Sequence, residues 1–352
     1  MNYKISEQES RTYLEVNSQK IEVDLRVSDF LQGRTRLSKK LEISLQNLLQ
    51  LFEKDSLQIT SPHKIAETPL VSVILINYNG IEHNDSCIKS ILEQSYKNIE
   101  IVMVNNSSSD GSIDIVKEKF PEVKIVDPGT NTGFAKGNNI GVKYSKGEYI
   151  FILNNDTELE VDCVANFVSM AQNTKDIGAI AAKMKFYWNK NVINSFGNTI
   201  FLDNWGSDNY INFIDFGQFN LPRRVMSACF GAVFIPRSVW DEVGELDEKM
   251  FMYFEDTDLG IRAQEAGKKI LYVPKAMIWH KVSSSTGGED SKYQVYYMNR
   301  NRLYFAQKYR SKIGVGATAY SHIKAFAKWA LSLVYKRNNC FIAIAYRDYY
   351  KG

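Results

Sequence analysis

The chain has few cysteines for its 352 residues: Cys87, Cys163, Cys229 and Cys340 lie far apart and form no CxxC pair. That spacing argues against a zinc site or a disulfide framework and for a reducing compartment. Residues 1–20 contain no apolar core run, so no signal peptide is expected. No stretch approaches the roughly 20 consecutive apolar residues of a membrane span. No GxGxxG follows the first apolar strand and no Walker lysine loop occurs. Dinucleotide hydride transfer and P-loop phosphoryl transfer are therefore poorly supported. Charge of one sign is scarce as well, with a net charge of only +3, and no nucleic-acid partner is expected. With 44% hydrophobic and 24% charged residues, the composition is that of an ordinary globular protein.

The small net charge hides an uneven distribution. Residues 307–352 hold nine Lys and Arg against one acid, Asp348, a local balance of +8 that leaves −5 for the rest (34 basic, 39 acidic). Within this tail, 323–335 reads as a basic helix carrying Phe326 and Trp329. Such a helix either lies on an anionic membrane surface or docks its apolar face on the domain, and periodicity alone does not separate the two.

Three parts follow from the patterning. Residues 1–69 are polar, with one helix expected over 37–52, where Leu41, Leu45, Leu48 and Leu49 share a face. An oligomerisation or docking segment is the expectation there. Residues 70–312 form the main domain and 313–352 the basic helical tail. From Leu70 onward, apolar strands alternate with amphipathic helices: strands at 71–76, 99–104, 123–126 and 149–153, helices at 85–94, 112–120 and 134–145. This alternation predicts a doubly wound α/β fold whose ligands bind beyond the carboxyl ends of the strands. Polar loops stand at those ends: Asn77-Tyr78-Asn79, then 105–111, then Asn154-Asn155-Asp156.

Three acids, Glu255, Asp256 and Asp258, sit inside the aromatic and apolar run 251–259, and Trp279-His280 follows. Burying carboxylates beside aromatics is costly unless a cation or a hydrogen-bonding substrate compensates. Such surroundings raise a carboxylate's pKa and suit it to take a proton from a hydroxyl. With Asp156 at a strand end, the set points to a divalent metal and a base sharing one cleft. Plainer roles stand beside these: an acid at a helix start is a cap, His280 is a core histidine, and Asn-Asn-Asp-Thr is good turn chemistry. The stretch 131–141 is glycine-rich and enters a helix. Either its N–H groups and Lys136 face phosphates, or its glycines serve tight helix–sheet packing.

The ordered blocks VSVILINYNG, IEIVMVNNSSSDGS, NTGFAKGNNIG, FILNNDTEL and the segment from Phe230 through FEDTDLG to IWHKVSSSTG resemble the family 2 glycosyltransferases of the GT-A fold. More narrowly they are similar to the rhamnosyltransferase-like branch that builds bacterial surface polysaccharides. The resemblance spans about Leu70 to Lys312. It implies a mixed sheet with a Rossmann-like nucleotide-binding half and an acceptor half, flanked by helical extensions. It also implies inverting transfer of a sugar, rhamnose from dTDP-rhamnose, to a glycan or lipid-linked acceptor. The enzyme would then work in the cytoplasm, peripheral on the inner face of the membrane. Another donor (a UDP-hexose or galactofuranose nucleotide) and a non-catalytic nucleotide-sugar or glycan binding module are the alternatives.

Carried onto this chain, the resemblance makes Asp256 the general base with Glu255 in support, and places Asp258 and Trp279 on the acceptor side. Asp156 and His280 would hold Mg2+ or Mn2+ on the diphosphate of the nucleoside diphosphate sugar. Asn77, Tyr78, Asn79, Asn105, Asp110, Gly133, Phe134, Lys136, Asn138 and Asn155 would line the donor. Two positions depart from the family pattern. Asn105 stands where an aspartate usually accepts the base N3–H, and an uncharged carbonyl accepts that bond more weakly. The metal motif Asn154-Asn155-Asp156 has one carboxylate where many relatives have two.

Overall fold

Tyr3, Ile5, Leu14, Val16, Ile21 and Val23 alternate with other residues at period two, a strand signal. In the computed structural model they lie in an antiparallel meander of β1 (Tyr3–Gln8), β2 (Arg11–Val16) and β3 (Gln19–Val23), with Ile5 opposite Leu14 and Leu14 opposite Ile21. The sequence reading anticipated no strands in this segment, because its alternation is diluted by charged residues. The structure describes residues 3–8, 11–16, 19–23, 68–200, 206–217, 219–282, 291–334 and 339–351. The helix expected over 37–52 lies outside them. The chain forms two units, Met1–Ile59 with Ile214–Arg223, and Thr60–Phe213 with Arg224–Gly352.

The larger unit is built on one sheet. Its first strand, β4 (Val71–Asn77), is apolar throughout its length except at Ser72 and Asn77, and such a strand needs cover on both faces. The chain continues through α1 (Asn84–Leu92), β5 (Ile99–Asn105), α2 (Ser112–Lys119), β6 (Lys124–Val126), α3 (Gly133–Lys143) and β7 (Tyr149–Asn154). Strands β7, β4, β5 and β6 pair in parallel in that order, as the alternation predicts. After β8 (Thr157–Leu159), α4 (Cys163–Asn173), β9 (Ile177–Phe186), β10 (Ile193–Ser195), β11 (Asn198–Ile200) and β12 (Gly206–Asp208), strand β13 (Ala232–Pro236) runs antiparallel between β7 and β9. This reversal makes the sheet mixed.

Helices α5 (Arg237–Val243) and α6 (Glu255–Glu265) lead to β14 (Lys269–His280), which pairs parallel with β9 and antiparallel with β8. One sheet face packs Ile74, Val104, Ile152 and Val233 against α3, α5 and α6. On the other, Phe167 stacks on Phe234 and Phe151 packs edge-on against Phe167. A Cβ added at Gly141 would lie 2.4 Å from Ile74 Cγ2, so this glycine lets α3 press onto the sheet.

Three helices follow: α7 (Lys292–Lys308), α8 (Arg310–Val334) and α9 (Asn339–Lys351). Helix α8 is broken at Gly314 (φ 84°) and starts well before the position its basic pattern predicts. Its small residues Thr318, Ser321 and Ala325 are buried, whereas Ile323 and Phe326 are each 66% exposed and Trp329 is 36% exposed. The usual amphipathic arrangement is inverted here: large apolar side chains face outward.

Candidate active site

The loops beyond β4, β5 and β7 are tied together by asparagine amides. Asn77 is fully buried; its Nδ2 donates to Ser108 Oγ (2.8 Å) and Ser112 Oγ (2.9 Å). Its Oδ1 accepts from Asn84 Nδ2 (2.8 Å) and Asn155 Nδ2 (3.2 Å). The side chain has no capacity left for a donor, so Asn77 braces the loop from within, in place of the direct donor contact that the sequence predicts. Asn155 gives its amide to the same cluster and to Asn84 Oδ1 (2.8 Å). Tyr78 and Asn79 are exposed, Asn79 in the left-handed region (φ 51°) with its Oδ1 accepting from the Ser109 N–H.

Asp110 joins two of these loops, accepting from the Ile81 N–H (2.9 Å), the Ser112 N–H (3.0 Å) and Ser112 Oγ (2.5 Å). Burial opposes its charge, but those donors from Ser112 and Ile81 outweigh it and hold the carboxyl below its ordinary value. Asn105 donates to Asp127 Oδ2 (2.8 Å), and its Oδ1 accepts from the Ser108 N–H (3.0 Å). That hydrogen bond from Asn105, with one from the Gly129 N–H, lowers the pKa of Asp127. A carboxylate therefore stands beside Asn105 after all, supplied from the end of β6.

The glycine-rich entrance to α3 is not an open anion site. The N–H groups of Phe134 and Ala135 both donate to the Phe251 carbonyl (2.7 and 3.0 Å), and the Gly133 N–H donates to Asn131 Oδ1 (2.9 Å). Gly133 has φ 76°, and a Cβ there would lie 2.5 Å from the Phe251 ring. Lys136 pairs with Glu248 (3.2 Å) and Asn138 Nδ2 turns back onto the Phe134 carbonyl (2.9 Å). The phosphate-facing role expected of Gly133, Phe134, Lys136 and Asn138 is thus replaced by a junction between α3 and the loop carrying the acids. A helix start satisfied by a carbonyl has few N–H groups left for a ligand.

Asp156 and His280 come together across 123 intervening residues. Register pairing of His280 with Thr157 on β14 and β8 sets the imidazole Nε2 3.2 Å from Asp156 Oδ1. The other ring nitrogen, Nδ1, is 2.8 Å from Asn194 Oδ1 on β10. An amide oxygen only accepts, so Nδ1 carries the proton and Nε2 is directed at the carboxylate. Burial lowers the imidazole's pKa, but the Asp156 charge and hydrogen bond more than reverse this. The donor set suits a divalent cation: a carboxylate oxygen, an imidazole nitrogen and an outer amide fixing the tautomer.

The acids after Phe251 have three different surroundings. Phe251, Tyr253 and Phe254 all have positive φ (62°, 69° and 76°), rare for aromatic residues and strained. Asn301 on α7 holds this turn, its Nδ2 lying 2.7, 2.8 and 2.9 Å from the carbonyls of Met250, Met252 and Tyr253. Tyr297 stacks on the Phe251 ring at 4.8 Å.

Asp256, half-buried in the first turn of α6, receives the Thr257 N–H (2.6 Å) and Oγ1 (3.1 Å) on Oδ1, and Asn198 Nδ2 on Oδ2. Burial, aided by the Asp208 charge and opposed by those donors, pushes its pKa up to about 6. Glu255 is buried, its Oε2 has no hydrogen-bond partner among the described residues, and burial with the neighbouring Asp256 charge raises its pKa well above the ordinary value.

Asp258 is 0% exposed and bound by Arg262 Nε (2.9 Å), Lys308 Nζ (2.6 Å) and Tyr309 OH (2.7 Å). The acceptor-side place expected for it is therefore corrected: it locks α6 to the end of α7. Trp279 lies on β14 beside His280, with Lys190 Nζ 4.5 Å from its ring centre.

Sequence reasoning missed Asn194, Asn198, Ser227, Asp127 and Asn301. The available signal was weak: a polar residue in a short, fully buried strand, as Asn194 is in β10.

Comparison with known proteins agrees with this architecture. Residues 72–244 match Glycosyl transferase family 2. An uncharacterized protein of Sinorhizobium fredii is 25% identical over 236 residues, 64% of this chain but 26% of that protein; the chain thus spans about a quarter of that relative's length. An N-acetylglucosaminyl-diphospho-decaprenol L-rhamnosyltransferase of Mycobacterium tuberculosis is 20% identical over 263 residues, 69% of this chain and 86% of that enzyme. Among solved structures, a mannosyltransferase from Pyrobaculum calidifontis in complex with GDP-Man and Mn2+ matches with a TM-score of 0.56 at 16% identity, over 86% of this chain and 81% of that one. The mixed sheet described above has the GT-A architecture.

Proposed function

On the premise that this chain is a family 2 glycosyltransferase, we propose that it transfers rhamnose with inversion from dTDP-rhamnose to a glycan or lipid-linked acceptor in surface polysaccharide synthesis. The observation that carries the reading is Asp256: a half-buried carboxylate, held by Asn198 and Thr257, whose pKa is pushed up to about 6. A base with that proton affinity accepts a hydroxyl proton in the transition state and is still deprotonated near neutrality. The acceptor oxygen bonds to the anomeric carbon as the bond to the diphosphate oxygen breaks. Its proton passes to Asp256 and the nucleoside diphosphate leaves. One carboxylate suffices for this single displacement.

A divalent cation, Mg2+ or Mn2+, held by Asp156 and His280, supplies neutralisation of the diphosphate charge when bound. Asn194 keeps the His280 imidazole in the tautomer that presents Nε2. On the donor side, the asparagine cluster around Asn77 fixes the loops while Tyr78, Asn79 and the Asn105–Asp127 pair face the nucleoside. Similarity to a rhamnosyltransferase over 86% of that enzyme supports rhamnose. Asn105, uncharged, supports a UDP-hexose as the second reading. Transfer and hydrolysis measured with dTDP-rhamnose, UDP-hexoses and a galactofuranose nucleotide, with and without EDTA, decide between them. Absence of turnover with every donor would leave a nucleotide-sugar binding module.

Asp156→Ala and His280→Ala should each weaken Mn2+-dependent donor binding at least tenfold, the usual scale for losing a ligand or its support. Calorimetry with donor at fixed Mn2+ checks this. Unchanged affinity in both variants would remove the pair from the metal site.

The tail supports acceptor access at a cytoplasmic, anionic membrane surface. Of its nine basic residues, Lys308, Lys312 and Arg347 pair with acids of the same unit, so less of the +8 balance faces outward than the sequence implies. Outward-facing Ile323, Phe326 and Trp329, bordered by Lys324, form the apolar stripe of an interfacial helix. Among the described residues no helix is long and apolar enough to cross a membrane. The double variant Ile323→Glu/Phe326→Glu should abolish co-sedimentation with anionic liposomes at low salt and leave the fold and donor binding intact. Undiminished co-sedimentation would rule the stripe out as the contact.

A further inference from the structure

Asn198 lies immediately after a glycine that no other residue replaces without displacement. Gly197 has φ 119°, and a Cβ there would lie 2.6 Å from the Ser227 carbonyl oxygen. This close approach brings the Asn198 N–H onto that same carbonyl at 2.8 Å. Ser227 in turn donates its hydroxyl to the backbone carbonyl of Asp256 (2.7 Å), in a space left open by Gly260, where a Cβ would lie 2.6 Å from Ser227 Oγ. Asn198 Nδ2 closes the circuit by donating to Asp256 Oδ2. Both the main chain and the carboxylate of Asp256 are therefore anchored to one bridged pair, Asn198 at the start of β11 and Ser227, outside α6.

Asn198 is only 8% exposed, yet its Oδ1 is buried with no hydrogen-bond partner among the described residues. An amide retained for packing alone uses both its ends, because an unpaired buried oxygen is destabilising. Here the side chain's bond is the one to the acid. We infer that Asn198 is the positioning residue of the transfer reaction, holding the Asp256 carboxylate in the single orientation that meets the acceptor hydroxyl. The inference rests on the reading of Asp256 as the base.

The charged and titratable groups around Asp256 give this bond a second consequence. Asp208, opposite Asn198 in the β11–β12 register, faces it from the hairpin, Glu255 from its own helix, and the Cys229 thiol from the segment before β13. Two of these are acids. Asn198 and Thr257 supply the neutral donors that offset them. Without the Asn198 donor, the carboxylate is exposed to its acidic neighbours with one fewer compensating bond and binds its proton more tightly.

The test is a comparison of pH–rate profiles and donor affinities for the full-length protein, Asn198→Ala, Asn198→Asp, Asn198→Ser, Asp256→Asn and the double variant Asn198→Ala/Asp256→Asn. Asn198→Ala should lower kcat roughly tenfold or more and move the acidic limb of kcat/KM upward while donor Kd stays within about twofold. Asn198→Asp, which sets a further carboxylate against Asp256, should move the limb further; Asn198→Ser, which keeps a donor, should recover part of the loss. In the Asp256→Asn background, Asn198→Ala should have no additional effect, because the two act through one group. An unmoved limb in Asn198→Ala, or a full loss that persists on top of Asp256→Asn, would show a packing role and overturn the inference. Near-normal turnover of Asp256→Asn alone would instead remove the base, and the positioning role with it.

Discussion

Asp256→Asn should bind donor as the unchanged protein does and turn over roughly 10²-fold or more slowly, the scale for losing a positioned general base. The substitution keeps the volume of the side chain and its place in the first turn of α6, so the hydrogen-bonded segment 250–256 has no steric reason to rearrange. What disappears is the ability to take a proton. The pH dependence carries the same signature. On the proposed reading the working form is the deprotonated carboxylate, and its pKa is raised to about 6. The kcat/KM of the unchanged protein should therefore climb as pH rises through about 6 and then level. In Asp256→Asn that climb should vanish along with the rate. Stopped-assay initial rates across pH, with calorimetry for donor, read both quantities. A variant that keeps near-normal turnover and its acidic limb would assign the proton transfer to another group.

Two residues further along, Asp258→Ala should show the opposite pattern. This carboxylate is fully buried and ties Arg262, Lys308 and Tyr309 into one network. Removing it takes the carboxylate from Arg262 and Tyr309 and leaves Lys308 with Asp247 alone (2.8 Å), and breaking a buried ion pair from one side typically costs about 3–5 kcal/mol. Some relief is available, since Lys308 is 29% exposed on its side chain and can turn to water. The lower end, about 3 kcal/mol, is the expected loss in urea unfolding. Below the transition, the folded fraction should retain donor binding, because the side chain of Asp258 is taken up by Arg262, Lys308 and Tyr309. A loss under about 1 kcal/mol would show the network to be of surface-pair strength.

This contrast between Asp256 and Asp258 shows what was legible. That 251–259 holds chemistry-bearing acids is a matter of local composition: carboxylates among aromatics are unfavourable without compensation, and the sequence displays the conflict directly. Which acid is compensated internally and which is left for a substrate depends on Lys308 and Tyr309 at the end of α7 for Asp258, the latter 51 residues away, and on Asn198 on β11, 58 residues away, for Asp256. No periodicity in the chain announces those partners. The same holds for the glycine-rich entrance to α3, whose N–H groups look available to phosphates until the Phe251 carbonyl is seen to occupy them.

The sequence by itself determined the parallel half of the sheet and the place of the loops at its carboxyl edge. Strand and helix periodicity are local, and a doubly wound connection leaves little freedom in how consecutive units pack. Tertiary structure alone decided the antiparallel insertion of β13, the approach of Asp156 to His280 to 3.2 Å and the division of roles among the acids. It also decided that the large apolar side chains of α8 face outward, since the kink at Gly314 and the burial of Thr318, Ser321 and Ala325 set the helix's rotation. The physical reason is common to all four. Hydrogen-bond satisfaction and burial are properties of groups that meet only after folding, and residues far apart in the chain carry no mutual signature before they meet.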